Sequence, residues 1–341
     1  TEFESRYKNL NTAQKEAVDT IDGPLMVVAG PGTGKTELLS MRVAAILQRT
    51  DTLPENILCL TFTESGATAM RERLVSIIGA DAYKVAIHTF HSFGSEIINL
   101  YRQFFYSGAD FRPADDLSSY EILRDILDEL PFDNPLSSKM NGEYTYLSDI
   151  LRSISELKKS GLTSDELLRV LDSNDEVLNR FENSLATIFS QRISKQAIAQ
   201  LQPLSLDIAQ YQHVSLPPGI TPLANTMALS LAHTIDEATD TNSTKPITAW
   251  KNKWMQKDEQ GALIFKDRGR HEKLRALSYV YFQYLDRMQE ASLYDFDDMV
   301  LRVVHALEVF PDLRYNLQEK YLYIMVDEFQ DTNLAQARIL H

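Results

Sequence analysis

The sequence predicts an α/β fold: a parallel sheet with helical crossovers, interrupted by an all-α insertion domain. Three observations carry this expectation. Short apolar runs alternate with helical stripes over the first hundred residues, the strand pattern disappears between about Asp115 and Glu290, and the alternation then returns. The expected boundaries are 1–110 for the first α/β segment, 111–279 for the helical insertion and 280–341 for the second α/β segment.

The elements follow in order. Leu25 to Ala29 is a short apolar run closed by a Gly-rich turn, as expected of a buried parallel strand. Thr36 to Leu47 places Leu39, Val43, Ile46 and Leu47 on one helical face. Ile57 to Thr61 reads as the next strand, and Ala67, Met70, Leu74, Ile77 and Ile78 mark the helix after it. Val85 to Ile87 is a third strand, with a helix from about Thr89. Within the insertion, Leu123, Ile126, Leu127 and Leu130 form one stripe, and Leu147, Ile150, Leu151, Ile154 and Leu157 another. The proline-bearing stretch Gln202 to Pro222 and the polar, mobile stretch Thr239 to Thr248 should break the helices. A helix near Asp297 to Leu307 and an apolar strand, Tyr321 to Val326, complete the pattern.

The chain is 44% hydrophobic and 24% charged, which fits a globular protein with a substantial core. It has no uninterrupted apolar run of about 18 residues, so no membrane span is expected. A single cysteine, Cys59, excludes an internal disulfide and a multi-cysteine metal site, and fits a reducing, cytoplasmic setting. The net charge of −14 argues against wholesale wrapping by nucleic acid. Residues 241–275 nevertheless hold nine Lys or Arg against four acids, so charge is segregated as a local binding surface requires.

Gly30, Pro31, Gly32, Thr33, Gly34, Lys35 and Thr36 follow an apolar run and open an amphipathic helix. With Ala29 in the first position this is a phosphate-binding loop of the pattern AxxxxGKT. Its glycines let backbone N–H groups turn onto phosphate oxygens at a helix N-terminus. Lys35 would reach the β- and γ-phosphates, and the Thr36 hydroxyl would hold Mg²⁺. Asp327 and Glu328 end an apolar strand, where an open α/β sheet places its ligands. Asp327 would hold Mg²⁺ and Glu328 would deprotonate an attacking water. Lys35, Asp327 and Glu328 are thus the candidate catalytic residues of an NTPase.

Further motifs narrow the class. Leu10-Asn11-Thr12-Ala13-Gln14 precedes the loop, and Thr61-Phe62-Thr63 and His88-Thr89-Phe90-His91-Ser92-Phe93 follow the second and third strands. Tyr294-Asp295-Phe296-Asp297-Asp298-Met299 comes next, and Asp327-Glu328-Phe329-Gln330-Asp331-Thr332-Asn333 extends the acid pair. In this order they resemble the superfamily 1 DNA helicases of the UvrD/Rep type, over roughly residues 8–105 and 280–341. The resemblance implies a RecA-like P-loop NTPase domain that uses ATP and Mg²⁺, with Gln14 reading the adenine edge. It implies movement on single-stranded DNA in the 3′ to 5′ direction and opening of duplex/single-strand junctions, in repair or replication. Phe62, Thr63, Thr89, His91 and Ser92 match positions near the DNA strand, and Gln330 and Asp331 match positions linking nucleotide to DNA. The helicase part of a helicase-nuclease and a nucleotide-gated binding module without unwinding are the alternative readings.

Two departures stand out. Such helicases often carry Arg after the P-loop threonine, where this chain has Glu37, and Asn-Lys after Thr-Phe-Thr, where it has Glu64-Ser65. The family also continues into a second RecA-like domain, so this chain is expected to be an N-terminal fragment, monomeric and with little turnover alone. By position the insertion resembles the family's accessory domain. There Arg268, Arg270 and Lys273 are candidate phosphate contacts, with a solvated helix face as the other reading. Trp250 and Trp254, among Lys251, Lys253 and Lys257, suit either nucleic acid or a packed local core.

Overall fold

The computed structural model describes all residues except 1, 31, 106–110, 212–214 and 218. Contacts divide the chain into two compact units, one of Thr1–Pro113, Lys158–Gly161 and Ser292–His341, the other of Ala114–Leu157 and Leu162–Ala291. The return of Lys158–Gly161 to the first unit interrupts what the sequence reads as one continuous insertion.

The first unit begins with α1 (Glu2–Asn9), α2 (Thr12–Asp19) and α3 (Lys35–Arg49), then β1 (Ile57–Thr61), α4 (Glu64–Ile78), β2 (Ala86–Thr89), α5 (Phe90–Leu100) and β3 (Arg112–Pro113). The second holds α6 (Asp116–Asp128), β4 (Lys139–Met140), β5 (Glu143–Tyr144), most of α7 (Leu147–Lys159), α8 (Ser164–Ser190), α9 (Lys195–Ala209), α10 (Leu223–Asp240), α11 (Lys245–Trp254), β6 (Met255–Lys257), β7 (Leu263–Phe265) and α12 (Asp267–Glu290). The chain then closes the first unit with β8 (Leu293–Tyr294), α13 (Phe296–Val309), α14 (Pro311–Lys320), β9 (Tyr323–Val326) and α15 (Leu334–Leu340).

The sheet that organises the first unit has the order β2-β1-β9, parallel throughout. All five residues of β1 are buried, because helices cover both faces. Ile57 and Cys59 pack with Val43, Met70 and Leu74 from α3 and α4, whereas Leu58 and Leu60 pack with Phe90, Phe93, Ile97 and Val303 from α5 and α13. Arg71 of α4 donates to the carbonyls of Ala82, Val85 and Ile87 at 3.0, 3.3 and 3.4 Å, covering the outer edge of β2.

Residues 25–29 do not form the strand their apolar run predicts: they carry no ladder, and Met26 and Val28 are 80% and 90% exposed. An apolar run supplies strand propensity but no partner, and β9, whose Ile324 is half-exposed, ends the sheet on that side.

The second unit is mostly helical, but it is not all-α: β4–β5 and β6–β7 are short antiparallel ribbons. Two- and three-residue strands are too short to leave a period-2 signature. Its core gathers Phe181 and Phe189 of α8, Leu201 of α9, Met227 and Leu231 of α10, and Phe265. Trp250 and Trp254 lie in that core, stacked at 5.6 Å, with the Trp250 Nε1–H donating to Ser230 Oγ at 3.1 Å. The core reading of this pair therefore holds, and the aromatic nucleic-acid surface is withdrawn. Pro203 does not end a helix either: α9 runs through it, with Leu201 and Ile208 buried on one face. Only residues 241–244 separate α10 from α11, because Ile247 is buried and draws the polar stretch into helix. Among the described residues no helix is long and apolar enough to cross a membrane.

The Lys158–Gly161 segment is gripped from two sides within the first unit. The Lys158 ammonium is fully buried between Asp295 and Asp298, 2.6 Å from the latter. Burial pulls its pKa down, but the two carboxylates outweigh that and hold it above the ordinary lysine value. Gly161 has a φ of +69°, a conformation that glycine adopts without strain, and a Cβ there would press on the Arg338 guanidinium at 2.8 Å. Lys158→Ala should cost about 3–5 kcal/mol by leaving a buried carboxylate without its cation. Urea denaturation followed by circular dichroism measures this, and a loss below about 1 kcal/mol contradicts the anchoring role.

Candidate nucleotide site and adjoining strand rim

Parallel strands end together, and the C-terminal ends of β1, β2 and β9 form one rim. The backbone N–H of Asp327 donates to Leu60 O at 2.9 Å, extending the β1–β9 ladder one residue past the strand. This sets the acid pair beside the end of β1. The backbone at Glu328 then turns left-handed, with φ 52° and ψ 43°, an uncommon conformation for a residue other than glycine. Glu328 N–H donates to Asp327 Oδ1 at 3.0 Å.

The candidate phosphate-binding loop meets this rim. Lys35 Nζ lies 3.3 Å from Glu328 Oε2, joining residues 293 positions apart in the chain. Gly32 and Gly34 have φ of +75° and +83°, so both occupy the left-handed region that glycine permits. Gly34 caps α3, and Lys35 and Thr36 open that helix. The Thr33 hydroxyl donates to Gly30 O at 2.7 Å, tightening the loop. Pro31 lies outside the described residues.

Gln14 is tied to the same loop. Its Oε1 accepts from Asn11 N–H at 3.0 Å in a capping box that starts α2, and its Nε2 donates to Thr33 O at 3.2 Å. Glu37, in the first turn of α3, accepts from Arg6 at 3.0 Å and lies 3.5 Å from the Arg73 guanidinium. The acid that departs from the family pattern therefore joins α1 and α4 to α3.

The two acids differ electrostatically. Burial, and then the neighbouring Glu328, push the Asp327 carboxyl above the ordinary range. Hydrogen bonds from Gln330 and Lys35 hold Glu328 below it. A half-buried, destabilised carboxylate suits a cation, and an ionised one can accept a proton. Among the described residues no group of three or more His, Cys, Asp or Glu forms a metal cage. Thr36 and Asp327 offer the hydroxyl and carboxylate oxygens that Mg²⁺ accepts, and are the residues that would hold it.

Farther along the rim, the β1–β2 register pairs Thr61 with Thr89. Thr63 caps α4, accepting from Gly66 N–H at 3.0 Å. Thr89 and Ser92 form a capping box at the start of α5, and the Thr89 hydroxyl also donates to Glu64 Oε1 at 3.0 Å. Phe62 is half-buried against the buried Phe90, with ring centroids 5.6 Å apart. His91 lies over the 70%-exposed Phe296 at 4.1 Å, and burial pushes its imidazole pKa below the ordinary value against the opposing pull of Asp297. The exposed Phe296 and the Glu64–Thr89 bond were not assigned from sequence. The Tyr294–Met299 motif contained the signal for the first; nothing local marks the second.

The basic residues of the second unit are mostly engaged. Arg268 makes a two-pronged bond to Glu182, with Nε and Nη2 at 2.8 and 2.9 Å, and also reaches Asn179. Lys273 donates to Tyr146 Oη at 3.0 Å and lies over its ring. Arg270 is exposed and forms no ion pair among the described residues.

Comparison with known proteins agrees with this arrangement. A family model described as the UvrD/REP helicase N-terminal domain matches residues 10–341. DNA helicase II of Rickettsia typhi is 28% identical over 330 residues, covering 96% of this chain and 34% of that protein. ATP-dependent DNA helicase PcrA of Staphylococcus aureus is 24% identical over 328 residues, and that of Staphylococcus epidermidis 26% over 329. Each covers 96% of this chain, against 30% and 31% of the respective relative. The chain thus spans about a third of the length of these curated relatives. With its phosphate loop, acid pair and parallel sheet, the chain belongs to the UvrD/REP helicase N-terminal domain family.

Proposed function

We propose that this chain is the nucleotide-binding part of an ATP-dependent DNA helicase or translocase with a RecA-like core. The observation that carries the reading is the approach of Lys35 to Glu328 at 3.3 Å, which brings a phosphate-binding lysine and a proton-accepting acid to one rim. The names of the relatives, DNA helicase II and PcrA, favour DNA as the partner. Translocation from 3′ to 5′ rests on the family resemblance alone.

The residues divide the work as follows. Backbone N–H groups of the loop, the α3 N-terminus and Lys35 hold the phosphates. Thr36 and Asp327 would hold Mg²⁺, which would supply charge neutralisation on the nucleotide phosphates. Gln14 rotates from Thr33 O to pair with the adenine edge. Once a phosphate takes Lys35, Glu328 is released to orient a water and accept its proton as the oxygen attacks the γ-phosphorus. The bond to the β–γ bridging oxygen breaks, and ADP leaves. Single-stranded DNA runs along Phe62, Thr63, Thr89, His91 and Ser92, where a ring supports bases and short polar groups meet phosphates.

Lys35→Ala should weaken MgATP binding at least about tenfold by removing the charge that meets the phosphates. Glu328→Gln should keep binding and slow hydrolysis in the longer protein by about 100-fold or more. Gln14→Ala should narrow the preference for ATP over GTP. Nucleotide titration and phosphate release measure all three, and unchanged MgATP binding by Lys35→Ala refutes the site.

A phosphate contact from the second unit is proposed at Arg270, with Lys273 beside it, because Arg268 is held by Glu182. Arg270→Ala should reduce the salt slope of DNA binding by about 1. Arg268→Ala should instead lower the melting temperature and leave the slope unchanged. The reverse pattern would assign the contact to Arg268.

A further inference from the structure

The rim beyond the nucleotide site holds one charge of the wrong sign for a nucleic-acid track. Glu64 opens α4 directly after the cap Thr63, and its exposed carboxylate accepts the Thr89 hydroxyl at 3.0 Å. Thr89 has a single hydroxyl proton. Its oxygen accepts Ser92 N–H at 3.1 Å, while Ser92 Oγ accepts Thr89 N–H at 2.9 Å. The carboxylate is the strongest acceptor in reach, so the hydroxyl proton goes to Glu64. The Ser92 hydroxyl lies 3.2 Å from Thr89 O and donates there. The short polar groups of this rim are thereby satisfied from within the protein.

Two helices also begin here, α4 and α5, and their N-termini favour negative charge. Glu64 already supplies that charge. A phosphate arriving at Thr89 must displace a carboxylate from its hydrogen bond and then remain close to it.

We propose that Glu64 is a resident competitor of nucleic-acid phosphate at the β1–β2 rim, and that it sets how weakly this rim holds a strand. The inference rests on the DNA reading above. A carboxylate that yields to phosphate and then returns to Thr89 gives a reversible grip, which suits a protein that must release each phosphate as it advances. Phe62, two residues before it, is uncharged and only half-buried, so base stacking is untouched while phosphate contact is opposed.

The isosteric change Glu64→Gln tests this. Glutamine keeps an oxygen to accept the Thr89 hydroxyl, so the cap and rim geometry survive while the charge is removed. Fluorescence polarisation of labelled oligo(dT) is measured on the wild-type chain, Glu64→Gln and Phe62→Ala across a salt series. Glu64→Gln should bind about three- to tenfold tighter at low salt, as expected for removing one like charge near a phosphate. Its salt dependence should steepen, because the wild-type chain carries a like-charge repulsion that added salt screens and the glutamine variant does not. A merely structural glutamate predicts equal or weaker binding and an unchanged slope, and that result overturns the proposal. If Phe62→Ala weakens binding while Glu64→Gln matches wild type, the DNA reading stands and the competitor does not. If neither wild type nor Glu64→Gln binds at any salt, the DNA reading of this rim falls and the proposal falls with it. MgATP binding, measured in parallel, should be the same in wild type and Glu64→Gln.

Discussion

The candidate site depends on the parallel alignment of three strands around β1. Because β2 and β9 both run with β1, Thr61, Thr89 and Val326 finish on the same side of the sheet. The bond from Asp327 N–H to Leu60 O fixes where the chain leaves β9. The register cannot slide cheaply. Ile57 and Cys59 fill one core while Leu58 and Leu60 fill the other, and a one-residue slip would exchange them. The rim that gathers the acids and the α4 and α5 caps is therefore held by side chains far from any chemistry.

On that rim, adjacent carboxylates are driven apart by unlike surroundings. Asp327 is half-buried with no cation at hydrogen-bonding distance among the described residues, and Glu328 is held by Lys35 and Gln330. The left-handed turn at Glu328 places the two side chains in these different settings, and its backbone strain is stored where the nucleotide would sit.

How much of this could be read from the chain depended on locality. The Gly-rich loop before α3, the helix from about Thr89 and the strands read at Ile57–Thr61 and Tyr321–Val326 announce themselves through neighbouring residues, and the structure shows those elements, the last strand shortened to Tyr323–Val326. Residues 25–29 misled because an apolar run states a preference and not a partner. Trp250 and Trp254 were ambiguous because four-residue spacing describes a buried face and an exposed one equally well; contact with Phe189 decides it. Arg268 reads as available in the sequence, but Glu182, 86 positions earlier, holds it. Lys158 carried no signal of its burial, since its two carboxylates lie 137 residues or more away. Pairings across such distances are settled by the fold, and no window of sequence contains them.

The Arg71 contacts at the outer edge of β2 have a consequence for how the protein behaves in solution. An open sheet edge is a row of unsatisfied backbone groups that can template growth by other chains. On the β2 side the Arg71 guanidinium already takes the Val85 and Ile87 carbonyls. A strand added along that margin would have to displace a part-buried cation from its acceptors before it could pair there.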